Sequence, residues 1–136
     1  MRAVLDPNII ISGLLSPDGA PARTLKAWQD GRFALIASPG LLEELRRALA
    51  YPKLRKRIPE ASATGILDLL ARGATVVDDV SHPPARSIDP GDDYLLALAE
   101  HQRAVLVSGD SDLLDLRERF PIFTAADFLD WLDRGV

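Results

Sequence analysis

Short apolar runs alternate with stretches of helical period along the 136-residue chain. The run Ala3-Val4-Leu5 has the unbroken apolar character of a strand buried on both faces. Asp6-Pro7-Asn8 interrupts it, and Ile9-Ile10-Ile11 resumes as a short helix over residues 8–15. Further strands are expected over residues 33–37, 75–77, 104–107 and 121–123. The last should lie at a sheet edge, because Pro121 cannot donate to a ladder. Helices fill the intervals. Pro21 opens one that Asp30-Gly31 stops, and Ser38 caps another over residues 39–50, which Pro52 ends. Others cover residues 61–72 up to Gly73, the apolar stretch after Asp93, and residues 113–119. Thr124 with Asp127 resembles a capping box for the final helix. Strands alternating with helices predict one domain, residues 1–136, built as a three-layer α/β/α sandwich on a parallel sheet.

Ligands of open parallel sheets bind beyond the carboxyl ends of the strands. Asp6 stands at such a place, and Glu43-Glu44, Asp92-Asp93 and Asp110-Ser111-Asp112 fall at comparable junctions. On the helix over residues 39–50, Leu41, Leu42, Leu45, Ala48 and Leu49 form one stripe. At about 100° per residue Glu44 lies at its edge and Glu43 nearly opposite its centre, so Glu44 is the inward candidate. Capping explains one aspartate at the mouth of the helix after Asp93, but not two. Asp93 directly precedes the apolar run and is the expected inward member, with Asp92 in support.

Carboxylates gathered in a low-dielectric pocket repel until some hold protons or a cation binds. Oxygen ligands suit Mg²⁺ or Mn²⁺, and one or two such ions suit an in-line displacement at phosphorus. Asp6 and Asp93 are then the expected ligands. Asp110 or Asp112 would hold a second ion or bound waters, Glu44 would act through water or orient the nucleophile, and Asn8 would donate a hydrogen bond to Asp6.

The chain has no cysteine, which removes disulfides, thiolate zinc sites and cysteine nucleophiles together. His82 and His101 are too few for a typical zinc site, and His82, in a proline-rich loop, should be a surface residue. A net charge of −4 gives the whole molecule no general attraction for nucleic acid. The stretch Lys53-Leu54-Arg55-Lys56-Arg57 is basic nonetheless. It reads either as a solvated helix face with its loop or as a phosphate contact through Lys53, Arg55 and Lys56. No apolar run approaches the roughly 20 residues of a membrane helix, and the first one is too interrupted for a secretion signal. The expected location is the cytoplasm.

Taken together, Val4-Leu5-Asp6-Pro7-Asn8, Ser38-Pro39 with Leu42-Glu43-Glu44-Leu45, Asp89-Pro90-Gly91-Asp92-Asp93, and Val107-Ser108-Gly109-Asp110-Ser111-Asp112-Leu113 resemble the PIN-domain ribonucleases. Within these the chain is similar to VapC-like toxins of toxin–antitoxin pairs. The resemblance spans nearly the whole chain. It implies a five-stranded parallel sheet in the order 3-2-1-4-5 and RNA cleavage dependent on Mg²⁺ or Mn²⁺. It also implies a homodimer and an antitoxin that covers the acidic pocket. Asp6, Glu44, Asp93 and Asp110 match the family's acidic quartet, and Asn8, Ser108 and Asp112 its supporting positions. Pro7 replaces a common hydroxyl residue, and Asp110 and Asp112 compete for the fourth place. An RNA-processing or structure-specific DNA nuclease without a toxin role would share this pocket, as would a non-catalytic domain of the same fold. A phospho-acceptor receiver would want a lysine after a late strand, but the lysines are Lys26, Lys53 and Lys56.

Overall fold

The computed structural model describes residues 1–135. In chain order its elements are β1 (Arg2–Leu5), α1 (Pro7–Leu15), α2 (Ala20–Gln29), β2 (Ala34–Ala37), α3 (Pro39–Leu49), α4 (Pro52–Arg55) and α5 (Glu60–Gly73). There follow β3 (Thr75–Val76), α6 (Asp93–His101), β4 (Val105–Val107), α7 (Ser111–Leu114), β5 (Ile122–Phe123) and α8 (Ala125–Asp133). The five strands are all parallel and ordered β3-β2-β1-β4-β5. That is the expected topology, with β1 at the centre. The order in which strands are added reverses between β1 and β4, the point at which open α/β sheets leave a crevice.

Alternation along the strands divides the core in two. Ala3, Leu5, Val105 and Val107 face a layer built from α1, α2, α3, α5 and α8. Val4, Ile36 and Leu106 face the opposite layer, where Leu95, Leu96 and Leu98 of α6 pack with Leu113 of α7. Leu95 to Ala99 are all buried, as the apolar character of this helix requires. On the other side Phe128 meets Phe33 edge to face, 5.0 Å between centroids.

Several boundaries differ from the sequence reading. Residues 53–57 begin in a helix of their own, α4, because Pro52 occupies a helix-opening position after α3 has already ended at Leu49. The short helix expected over residues 113–119 lies earlier, at α7. Asp110 caps it there by accepting the Asp112 amide at 2.9 Å. His82 is exposed, as expected, with φ 53°. Among the described residues no helix is long and apolar enough to cross a membrane.

Candidate metal centre

The register of β1 on β4 pairs Leu5 with Val107, and the Asp6 amide donates to the Val107 carbonyl at 2.9 Å. The next two residues, Asp6 and Ser108, therefore stand side by side at the carboxyl edge. Ser108 Oγ donates to Asp6 Oδ2 at 2.8 Å and accepts from the Asp110 amide at 3.0 Å. The other Asp6 oxygen, Oδ1, accepts the Asn8 amide at 3.0 Å and so caps α1. Asn8 thus supplies its hydrogen bond through the backbone, while the residue itself is exposed. Asp6 is only 4% exposed. Burial pushes its carboxyl above the ordinary value; the Asn8 amide and Ser108 hydroxyl partly offset this, and the Asp110 charge adds to it.

Neither aspartate at the mouth of α6 caps that helix. Asp93 is buried, as an inward residue should be, but its Oδ1 accepts two amides from the preceding loop, Arg86 at 3.0 Å and Ser87 at 2.7 Å. Asp92, expected only in support, is the acid that meets Asp110. Its carboxyl is pushed up to about 7, by burial first, then by contact with Asp110 and by the charges of Asp110, Asp89 and Asp6. Asp92 Oδ2 is buried and receives no donor. Asp93 is thus the buried member of the pair, as expected, while Asp92 is the one on which the charges of Asp110 and Asp6 bear. Between Asp110 and Asp112, Asp110 bears on both Asp6 and Asp92, while Asp112 contributes its amide to Asp110.

Two aspartates and an orphaned carboxylate oxygen fit a hard cation. Among the described residues no three acids or histidines are gathered in ligating positions around one point. An ion here would take a few carboxylate oxygens and keep water for the rest of its shell, as Mg²⁺ commonly does. Oxygen-only donors of this kind do not favour zinc.

Glu44 is half-buried on α3, whereas Glu43 is exposed and paired with Arg46, as the helical stripe predicts. Glu44 Oε2 accepts the hydroxyl of Tyr94, a residue the sequence reading passed over as part of an apolar helix. These two side chains line a cleft of about 430 Å³ with Arg47, Asp79 and Gly91. Asp79 closes one end, accepting the Gly40 amide at 2.8 Å.

The loop that holds Asp93 is itself anchored. Arg86 Nη1 lies 2.7 Å from Glu100 Oε1, and its guanidinium sits 5.2 Å from the Phe120 ring centroid. Such contacts stabilise by about 0.5–1 kcal/mol each. Arg86→Met is therefore expected to leave the fold intact while the Ser87 amide exchanges with solvent severalfold faster. Unchanged exchange would show that Asp93 holds the loop alone.

The basic stretch lies elsewhere. Ser38 Oγ accepts the Leu41 amide and starts α3 at the acid-bearing edge, and eleven residues carry the helix about 16 Å away before α4 begins. Lys53, Arg55 and Lys56 are exposed there, with Arg55 3.5 Å from Glu60. Any phosphate they touch lies well away from the acids. If this face contacts phosphates, reversing all three to glutamate should weaken nucleic-acid binding severalfold at low salt, as measured by filter binding. Equal affinity would leave this face merely solvated.

Residues 2–112 match the family model of the PIN domain. An uncharacterised protein of Methanocaldococcus jannaschii is 28% identical over 120 residues, covering 87% of this chain and 76% of its own. Among solved structures, VapBC2 of Rickettsia felis, bound to a DNA fragment from its promoter, superposes with a TM-score of 0.62 at 14% identity, covering 91% of this chain and 97% of the matched one. FitAcB of Neisseria gonorrhoeae gives 0.53 at 19% identity, covering 91% and 98%.

Proposed function

The chain belongs to the PIN-domain family, and from that premise we propose that it is an Mg²⁺- or Mn²⁺-dependent endoribonuclease, the toxin of a toxin–antitoxin pair. The observation that carries this reading is the buried, donor-less Asp92 oxygen beside Asp110 and Asp6. A carboxyl pair kept under such strain of charge is stabilised by a cation. A divalent ion bound there supplies charge neutralisation at the scissile phosphate and lowers the pKa of water.

The chain's own groups have separable roles. Asp6 is held by a hydroxyl and an amide, so it meets the ion without reorganising. Asp92, whose carboxyl is pushed up beside Asp110, would give up its proton to hold a cation there. Asp93 keeps α6 and its loop in register through the Arg86 and Ser87 amides. Glu44, at the cleft edge, orients the attacking water, and Arg47 in the same cleft offers a positive charge to the substrate phosphate. The two solved neighbours support a protein partner: VapBC2 and FitAcB name toxin–antitoxin assemblies of the same fold. An antitoxin that covers the acidic cleft, and a homodimer, complete the proposal.

Cleavage of RNA by the purified protein in Mn²⁺, abolished by EDTA and restored by excess Mn²⁺, is the expected result. Mn²⁺ at about 100 times its Kd should also raise the melting temperature by about 10 °C, through roughly 2.7 kcal/mol of preferential binding to the folded state. No cleavage and an unmoved melting temperature in millimolar Mn²⁺ would overturn the assignment. A small partner protein encoded beside the gene separates a toxin from a free-standing nuclease.

A further inference from the structure

We propose that Tyr94 is a positioning residue for Glu44, fixing that carboxylate on α3 from the first turn of α6 so that its free oxygen meets the cation's water shell in one arrangement. The inference rests on the reading of the acidic cleft as a cation-dependent nuclease centre. Residues 95–99 of the same helix are all apolar and buried, and Tyr94 alone carries a hydroxyl into the packing against α3. A half-buried phenol needs a partner, and a backbone carbonyl would serve. Here the partner is a carboxylate 50 residues away in the chain, Glu44 Oε2. A hydrogen bond onto an ionised acceptor is shorter and stronger than a neutral one.

Burial raises the phenol's pKa well above its ordinary value, and the neighbouring charges of Glu44, Asp6 and Asp79 raise it further. Tyr94 therefore keeps its proton near neutral pH. It orients, and it does not shuttle a proton. With Oε2 held, Glu44 has Oε1 left for an ion's water shell or the attacking water. A glutamate on a helix flank otherwise samples many rotamers, and that freedom is lost in advance here.

The test is a thermodynamic cycle on Mn²⁺ affinity, read from free Mn²⁺ by electron paramagnetic resonance in wild type, Tyr94→Phe, Glu44→Gln and the double variant. Phenylalanine keeps the ring, so the metal-free melting temperature should stay within about 2 °C of wild type. Tyr94→Phe is expected to weaken Mn²⁺ binding about tenfold, the usual scale for a group that orients a ligand. In the Glu44→Gln background the same change should cost less than twofold, because the carboxylate it steers is gone. Cleavage should show kcat lowered in Tyr94→Phe with KM for RNA unchanged. Wild-type Mn²⁺ affinity in Tyr94→Phe, or an equal loss in both backgrounds, overturns the role and leaves the nuclease reading standing. A wild-type protein that neither binds Mn²⁺ nor cleaves RNA overturns that reading and this role together.

Discussion

Asp6→Asn is expected to lower Mn²⁺-dependent RNA cleavage by about three orders of magnitude, the rate equivalent of roughly 4 kcal/mol of lost charge stabilisation. The protein should remain folded. An asparagine carbonyl oxygen can still accept from either the Asn8 amide or the Ser108 hydroxyl, so the β1–α1 corner keeps a cap. Burial already disfavours the charge on Asp6, and removing it relieves repulsion from Asp110. The metal-free variant should accordingly melt at or above the wild-type temperature. Catalysis and stability move in opposite directions, as they do where a site is strained for function. Initial rates in saturating Mn²⁺, with melting curves in EDTA, measure both. Wild-type rates in the variant would remove Asp6 from the site.

The second large effect is on pH. An aspartate carboxyl ordinarily titrates near 3.9, whereas Asp92 is pushed up to about 7. Between those values the folded protein holds a proton that the unfolded chain has released. Metal-free stability is therefore full below about pH 4, falls as pH rises toward 7, and is level above that. Cation binding runs the other way, since the proton must leave. Apparent Mn²⁺ affinity should rise about tenfold per pH unit up to about 7 and then flatten. Asp92→Asn should abolish that slope and raise the metal-free melting temperature near neutral pH. Mn²⁺ titrations between pH 5.5 and 8 decide the matter; a flat profile in the wild type would mean the Asp92 proton is not in the way of the ion.

The first strand and the acid at its end were readable from residues 1–12, because an apolar run cut by Asp-Pro has few other readings, and the three layers from the alternation of strands and helices along the chain. Glu44 was separable from Glu43 by helical geometry alone, since its own stripe of leucines defines inside and outside. The choice between Asp92 and Asp93 was not, for α6 is apolar nearly all round and offers no face to count from. What turns Asp93 aside is a pair of amides in the loop before it, a contact invisible to any periodicity. Tyr94 escaped for a similar reason: its partner lies on a different helix. The strand order came from the family's motifs, not from the residues taken singly. The remoteness of Lys53, Arg55 and Lys56 from the acids depends on the direction in which α3 runs, which patterning does not encode.

The outermost strands, β3 and β5, have two residues each, and β5 follows directly on Pro121. A flank that short gives an incoming backbone almost no rungs to zip onto, and the proline blunts it further. The protein is thereby guarded against fibril growth by ribbon extension. A second copy, or any partner, is therefore expected to meet it through side chains and not by adding a strand to the sheet.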